Sequence, residues 1–360
     1  FWQTPVALGA RDGLIALDEM MATSQYAKAE NWPPGLLQTC QFKGQTYGLP
    51  VTAGIYSIWY NEELLESKGI PSDRASFPKT WDELRQMSKE FTVWDGDVLK
   101  SAGFVPWGVD LSNTTDTFYV WAALNGGKVF DAENLKYSID AEENVAMMQY
   151  AIDWLDEEYH GDVNAVLNSG QSWGGYSSAS GPAAFQAGNL ASLQQGSWLM
   201  GDLYAEVEPV FTRWNVAPHP TGPSGTTTVT GSYPNWLVIP KGSAHPTEAF
   251  GYLDWLSGVG VEQWFSTVPD IPANLLAPKT TPQTVVDRRG EEFATNVTDF
   301  FLEQTTIATP MWNSPVNDFS NDQIRSALEK IMTKNAWPKD ALAEAQAASQ
   351  AELDKLLSGS

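Results

Sequence analysis

The segment at residues 181–202 constrains the fold of this chain more than any other. A turn that reaches Gly188 is followed by a short apolar stretch, which stops at Gly196 and Ser197, and Trp198 comes next. The pattern predicts a β-strand with an indole just beyond its carboxyl end, which is the edge where open α/β sheets bind their ligands. Trp198 is therefore a candidate ligand contact. A core tryptophan that packs behind the strand is the alternative, and the segment alone does not distinguish the two.

The length and the charge of the chain limit its fold and its partners. A chain of 360 residues is longer than one hydrophobic core usually supports, so two lobes are expected. The net charge is -23 and the pI is near 4.3, which would repel nucleic acids and anionic lipids. An anionic ligand is disfavoured for the same reason, although one local arginine could outweigh the overall field.

Cysteine and histidine usage argues against a disulfide and a metal site, and no cofactor is expected. The single cysteine, Cys40, excludes an intramolecular disulfide and a multi-cysteine metal site, and we expect it to be a small buried residue. The histidines, His160, His219 and His245, are far apart and do not form a zinc-binding spacing. A zinc enzyme is therefore not expected.

Tryptophan is unusually frequent, with 16 residues in the chain. Trp154 and Trp255 lie in helical apolar patterns that are typical of a core. Others lie beside or within two residues of Gly, Pro, Asn or Ser, as expected of loop-edge indoles that hold flat, hydroxyl-rich ligands: Trp59, Trp107, Trp173, Trp198, Trp236 and Trp312.

Local patterns predict the elements around these residues. Residues 51–60 are rich in β-branched and aromatic side chains and predict a long strand, and Asn61 is placed to cap the helix that follows. Thr80 and Glu83 form a capping-box pattern. Further predictions are a hairpin around Gly44, a strand at residues 105–109, helices at residues 117–124, 141–159 and 338–357, and a flexible loop at residues 169–181.

Several motifs in fixed order carry a resemblance to a known family. They are Tyr-Gly-Leu-Pro-Val at residues 47–51, Tyr-Asn-x-x-Leu at 60–64, Pro-x-Thr-Trp-Asp-Glu-Leu at 78–84 and the Gly-Ser-Trp at 196–198. Together with weaker matches up to the C-terminal helix, they resemble the extracellular solute-binding proteins of carbohydrate ABC importers, of the maltose-binding-protein type. The resemblance spans nearly the whole chain.

This resemblance implies an α/β protein with the type II periplasmic-binding-protein fold, in which two α/β lobes are joined by a multi-segment hinge and ligand binds in the cleft. The implied N-terminal lobe comprises residues 1–52 and 237–308, and the C-terminal lobe comprises residues 53–236 and 309–360. The first visible residues look like the end of a strand and its turn, so we expect the leader and the first βα unit of the N-terminal lobe to be missing.

The resemblance also implies that the protein binds a ligand and does not catalyse a reaction. The expected ligand is a mono- to oligosaccharide, and the expected partner is a membrane permease. We expect a monomer that binds no nucleic acid and is periplasmic or extracellular, with or without a lipid anchor. A secreted glycoside hydrolase and a non-sugar solute such as a glycerol phosphate are the alternatives. A phosphate would need convergent cations, and Arg213 and Lys241 are the ones near the implied cleft.

Positions that match the family motifs give the candidate ligand-binding residues. Trp198 is the expected platform on which a sugar ring stacks, and the remaining candidates are Tyr56, Trp236, Asn235, Trp312, Trp173, Tyr176, Gln3, Thr4, Asn113 and Asp116. The chain departs from the family at Tyr233 and Pro234, where a second glycine region is more usual. The approach of the backbone to ligand is expected to differ there.

Three sequence patterns could indicate a catalytic or calcium site, but we interpret each of them as structural. Residues 170–174 match Gly-x-Ser-x-Gly, but the strand and helix of a nucleophile elbow are not indicated around Ser172. Asp95 and Asp97 lack the remaining oxygen ligands of a calcium loop. Adjacent acidic residues could suggest glycosidase acids, but we expect them to be solvated on helix surfaces: Glu62 with Glu63, Asp156 with Glu157 and Glu158, and Glu291 with Glu292.

Overall fold

The structure is a computed structural model that describes residues 4–109, 114–175, 183–203, 211–267 and 270–359. Its helices, in chain order, are α1 Pro5–Gly9, α2 Asp18–Thr23, α3 Pro34–Leu37, α4 Glu62–Ser67, α5 Trp81–Lys89, α6 Thr114–Leu124, α7 Glu142–Glu158, α8 Val163–Ser172, α9 Leu199–Asp202, α10 Pro246–Trp255, α11 Val261–Thr267, α12 Gln283–Arg289, α13 Glu291–Gln304, α14 Asn317–Met332 and α15 Pro338–Ser358.

The strands are short and form several small sheets. They are β1 Gln41–Phe42, β2 Gln45–Thr46, β3 Leu49–Pro50, β4 Tyr56–Asn61, β5 Val93–Asp95, β6 Val98–Ser101, β7 Phe130–Asp131, β8 Lys136–Tyr137, β9 Ser192–Gly196, β10 Trp214–Ala217, β11 Thr230–Gly231, β12 Trp236–Leu237 and β13 Ala308–Thr309. The central sheet is antiparallel in the order β9-β4-β10, with Tyr56 opposite Gly196 and Asn61 opposite Trp214.

Helix capping follows the sequence closely. The Asn61 side chain accepts a hydrogen bond from the Leu64 N–H at the start of α4. At α5 the Thr80 hydroxyl accepts from the Glu83 N–H while the Glu83 carboxylate accepts from the Thr80 N–H. Both caps satisfy N–H groups that a helix leaves without partners, so these boundaries are confirmed.

Other element predictions are partly wrong. Residues 105–109 form a turn, not a strand, and the helix predicted from residue 117 already begins at Thr114. The predicted flexible loop at residues 169–181 starts inside α8, which ends at Ser172, and its residues 176–181 lie outside the described residues. The hairpin around Gly44 and the helices at residues 141–159 and 338–357 are confirmed to within a residue at each end.

Much of the tryptophan content belongs to the core of the central sheet and its helices. Trp59 packs on Trp214 with ring centroids 4.9 Å apart, and Trp81 stacks on Trp121 at 4.5 Å. Trp59 and Trp107, which the sequence placed among the loop-edge indoles, are buried. Conversely, Trp255 was expected in the core and is 46% exposed. Proximity to Gly, Pro, Asn or Ser in the sequence is therefore a poor guide to indole exposure.

Three chain segments that were expected to join two lobes lie side by side. Ile55 bridges Ser232, and β11 pairs in parallel with β13, with Gly231 opposite Thr309. Thr52 bridges Pro272, which adds a fourth segment. This junction of segments positions the candidate site. In the described part of the chain, no helix combines the length and apolar character needed to cross a membrane.

Candidate functional site

Five aromatic side chains meet at the junction of segments, and we call them the aromatic cluster: Tyr56, Trp198, Tyr233, Trp236 and Trp312. Trp198 meets Tyr56 with ring centroids 5.3 Å apart and Tyr233 at 5.9 Å, both edge to face. Tyr233 in turn meets Trp312 at 4.6 Å and Trp236 at 6.2 Å. All but Tyr56 are half-buried, so they present ring surface to solvent. The structure thus brings together four of the candidates named from sequence.

The end of β9 places Trp198 at this junction. Gly196 is the last residue of β9 and lies opposite Tyr56 of β4. A Cβ atom at Gly196 would stand only 2.1 Å from the six-membered ring of Trp198, so the indole lies directly over this glycine. A side chain at this position would force the ring away. The glycine before the Ser-Trp pair is therefore required for the Trp198 ring to pack in this position.

A buried carboxyl group lies beneath the cluster. Asp116, in the first turn of α6, accepts a hydrogen bond from the Tyr56 hydroxyl at 2.5 Å, and both residues are buried. Burial raises the pKa of Asp116 to about 7, although the Tyr56 hydrogen bond and the positive charge of Arg325 oppose the rise. Near neutral pH this group is present both as acceptor-only carboxylate and as donor-bearing acid.

Tyr233 is the member of the cluster that the sequence did not assign as a ligand contact. Its N–H donates to the Gly54 carbonyl at 2.8 Å, and Gly54 has a φ of +53°. A Cβ atom at Gly54 would lie 2.0 Å from the Tyr233 carbonyl oxygen, so only glycine permits this approach. Burial and the nearby charge of Asp116 raise the pKa of the Tyr233 hydroxyl. The signal available in the sequence was the departure from the family motif at this position.

Trp312 is held in an uncommon backbone conformation. Its φ is +55°, a left-handed value that costs a bulky residue conformational energy. The indole is half-buried, and its Nε1–H is buried without a hydrogen-bond partner among the described residues. Surrounding contacts must stabilise this conformation, which orients the ring towards Tyr233.

Asn235 and Trp236 continue from the cluster on the segment after Tyr233. Asn235 is exposed and its amide donates to the Thr52 hydroxyl at 2.9 Å. The Trp236 indole donates to the Thr39 hydroxyl at 2.9 Å. These bonds fix both side chains at the edge of the cluster.

Thr4 has a different environment from the one expected of a ligand contact. It is fully buried; its hydroxyl accepts from the Ala7 N–H as the N-cap of α1 and donates to the Asn317 carboxamide at 3.0 Å. Trp173 is half-buried at the end of α8, and the described ring contacts do not connect it to the cluster. The candidates Tyr176, Gln3 and Asn113 lie outside the described residues.

Two of the acidic residues expected on solvated helix surfaces are buried instead. Glu62 is 6% exposed and pairs with Arg289 at 3.1 Å. Glu158 is equally buried and accepts hydrogen bonds from the Ser88 and Thr92 hydroxyls and from the Trp154 indole. Burial raises the pKa of both groups. The expectation was wrong for these two residues because it ignored what packs over each helix, whereas the other five acidic residues named with them are exposed.

The remaining features with other possible chemistry are engaged in the fold. Ser172 ends α8 and donates to the Ser169 carbonyl at 2.7 Å, which does not match a nucleophile elbow. Arg213 pairs with Glu66 at 2.6 Å, and Lys241 pairs with Asp12. Cys40 is a buried thiol, as expected. Within the described residues, no group of three or more His, Cys, Asp or Glu side chains is arranged to hold a metal ion.

Comparison with known proteins finds relatives that are named as binding proteins. The sequence model of the bacterial extracellular solute-binding protein family matches residues 6–263. An arabinooligosaccharide-binding protein of Halalkalibacterium halodurans is 22% identical over 219 residues, which cover 58% of this chain and 43% of that protein. A probable ABC transporter-binding protein of Deinococcus radiodurans is 23% identical over 316 residues, covering 86% of this chain and 69% of its own length.

Solved structures share the fold. CpMnBP1 with mannobiose bound has a TM-score of 0.72 and 20% identity, covering 96% of this chain and 81% of its own. Maltose-bound T. maritima MalE3 has a TM-score of 0.69 and 19% identity, covering 98% and 82%. These similarities confirm the predicted α/β fold of the type II periplasmic-binding-protein class.

Proposed function

The chain belongs to the family of bacterial extracellular solute-binding proteins, and from this premise we propose that it captures a mono- to oligosaccharide and delivers it to the permease of an ABC importer. The names of its relatives support the proposal, since they include an arabinooligosaccharide-binding protein and a probable ABC transporter-binding protein. Structures with the same fold contain mannobiose and maltose. The family and these neighbours are binding proteins rather than enzymes.

The observation that carries the proposal is the aromatic cluster with a carboxyl group beneath it. Aromatic faces cover the C–H surface of a pyranose, and we expect each stacked ring to contribute about 1 kcal/mol by analogy with aromatic pairs. Trp198 is the proposed platform, with Tyr56, Tyr233, Trp236 and Trp312 around it. The carboxyl group of Asp116 and the amide of Asn235 supply polar groups for sugar hydroxyls, and such groups reject analogues that lack them.

Closure of two lobes is the proposed working motion. The proposed lobes are residues 1–52 with 237–308 and residues 53–236 with 309–360. The junction of segments described above is consistent with a hinge because each proposed crossing runs through it. A ligand that contacts both lobes binds the closed form better and shifts the population towards it. The permease would then recognise the closed form.

The proposal includes a neutral ligand, a monomeric protein and no catalysis. The net charge of -23 disfavours anionic solutes, and Arg213 and Lys241 are both in ion pairs. A glycoside hydrolase needs two acids on either side of the scissile bond. Of the two acids near the cluster, Asp116 and Asp270, the second is buried with its Oδ1 atom accepting from Ser197 and Ile271, so it is not placed as the second acid of such a pair. The proposed location is periplasmic or extracellular, with or without a lipid anchor.

A thermal-shift screen against mannobiose, mannotriose, maltose and arabinooligosaccharides tests the proposal. A sugar that binds the native state raises the melting temperature by mass action, about 2.7 kcal/mol of stabilisation at a concentration of 100 Kd. Trp198→Ala should abolish the shift, whereas Trp255→Ala, which removes an exposed indole outside the cluster, should retain it. No shift with any of these sugars would contradict sugar capture, and released reducing sugar would indicate a hydrolase.

A further inference from the structure

Asp270 is not one of the candidate ligand contacts, yet its carboxylate lies within the junction of segments. The residue is 6% exposed. Its Oδ1 atom accepts from the Ser197 hydroxyl at 2.6 Å and from the Ile271 N–H at 2.8 Å. Burial raises the pKa of this carboxyl group to about 6, and nearby polar groups that include the Thr52 hydroxyl and the Gly54 N–H oppose the rise. Asp270 is therefore connected to the stretch at Ser197 by a hydrogen bond and lies beside the stretch at Thr52.

The first of these connections leads directly to the Trp198 platform. Ser197 immediately precedes Trp198, and its hydroxyl accepts from the Ile55 N–H at 3.2 Å while donating to Asp270. The Ser197 N–H donates to the Ile55 carbonyl at 2.8 Å. The backbone that carries the platform is thus tied on one side to the segment at Ile55 and on the other to Asp270.

The second connection leads to Asn235. The Thr52 hydroxyl, which lies beside Asp270, accepts from the Asn235 side-chain amide at 2.9 Å and from its backbone N–H at 3.2 Å. The Thr52 stretch is tied to the stretch after Asp270, because Thr52 bridges Pro272 and the Ala53 N–H donates to the Ile271 carbonyl at 2.7 Å. Asp270 thus lies beside the hydroxyl that holds Asn235 and bonds to the residue that precedes Trp198.

We propose that Asp270 is a positioning residue that fixes the Trp198 platform and Asn235 relative to each other. The inference rests on the proposed function, in which both residues contact the sugar. Several donors converge on the carboxylate, and an ionised carboxylate can accept at both oxygens. An asparagine replaces one of the two carboxylate oxygens with an NH2 group, which places a donor among the other donors around this side chain. Asp270→Asn should consequently loosen the platform without creating a cavity.

Fluorine NMR of protein labelled with 5-fluorotryptophan tests this without any ligand. The Trp198 and Trp154 resonances are assigned by their loss in Trp198→Phe and Trp154→Phe. The matched control is Glu158→Gln, which changes an equally buried carboxylate that accepts from the Trp154 indole at 2.7 Å. Asp270→Asn should shift or broaden the Trp198 resonance and leave that of Trp154 in place, and Glu158→Gln should do the reverse.

A second arm measures binding of mannobiose and maltose by calorimetry. For whichever sugar the wild type binds, Asp270→Asn and Ser197→Ala should each weaken affinity about fivefold or more, and the double variant should be no weaker than Asp270→Asn. Ser197→Ala also serves if Asp270→Asn fails to fold, since it removes only one hydroxyl. Unmoved Trp198 resonances in both variants would overturn the proposal. If the wild type binds neither sugar, the proposed function loses support while the NMR arm still decides the positioning role.

Discussion

Asp116, the buried acid at the candidate site, should make the protein less stable as the pH rises towards neutral, which is an unusual direction for a carboxyl group. The pKa of Asp116 is raised to about 7 in the native protein, chiefly by burial, whereas an unfolded chain gives about 3.9. Between these values the native state binds more protons than the unfolded state. The contribution of Asp116 to stability is therefore fully present below about pH 4 and is lost as the pH rises through about 7.

The magnitude follows from the difference between the two pKa values. About three pKa units correspond to about 4 kcal/mol across the whole range, of which about 2.5 kcal/mol falls between about pH 5 and about pH 8. His219 acts in the opposite direction because burial lowers its pKa to about 3. That histidine contributes about 2 kcal/mol of stability at about pH 8 that is lost towards about pH 5. His219 and the buried Asp270, whose pKa is raised to about 6, also titrate differently in the native and unfolded states in this range, so the wild-type profile alone does not isolate Asp116.

Urea denaturation of the wild type and of Asp116→Asn, each at about pH 5 and at about pH 8, isolates the contribution of Asp116 to the free energy of unfolding. The asparagine retains an acceptor for the Tyr56 hydroxyl but does not titrate. Relative to the variant, the wild type should lose about 2.5 kcal/mol of unfolding free energy from about pH 5 to about pH 8. A stability difference between the two proteins that is the same at both pH values would refute a raised pKa and, with it, the dual donor and acceptor role of Asp116.

Two further changes test the packing and the ion pair. Gly196→Ala places a methyl group against the Trp198 ring, so we expect a loss of about 1–3 kcal/mol in stability together with weaker sugar binding; Gly251→Ala, where a Cβ meets open space, should do neither. Arg289→Met removes the 3.1 Å partner of the buried Glu62 carboxylate, which keeps Arg213 at 3.7 Å, and should cost about 1–3 kcal/mol in urea denaturation. Adding Glu62→Gln to that variant should restore part of the loss, and no recovery would contradict the ion-pair explanation.

Features set by neighbours in sequence were predictable. The caps at Asn61 and Thr80 involve donors within three residues, so a short window contains the whole interaction. The strand that ends at Gly196 was visible for the same reason, because chain composition changes abruptly there. The ordered motifs also indicated the family, which fixed the expected fold without any contact being known.

The exposure and the contacts of individual side chains were not predictable in this way. Trp59 and Trp255 both matched their local patterns, yet the first is buried and the second is exposed, because burial depends on elements that are distant in sequence. The role of Tyr233 in linking Trp198 to Trp312 likewise needs the segments to meet.

The sequence by itself determined the helix caps, the strand that ends at Gly196, the net charge and the family, since each depends on composition or on residues within a few positions of one another. The tertiary structure alone decided which aromatic rings form one cluster and which acids are buried. Asp270 illustrates the difference, because its partner Ser197 is separated from it by 73 positions in the chain. Hydrogen bonds and packing across such distances arise only when the chain has folded, so no local pattern records them.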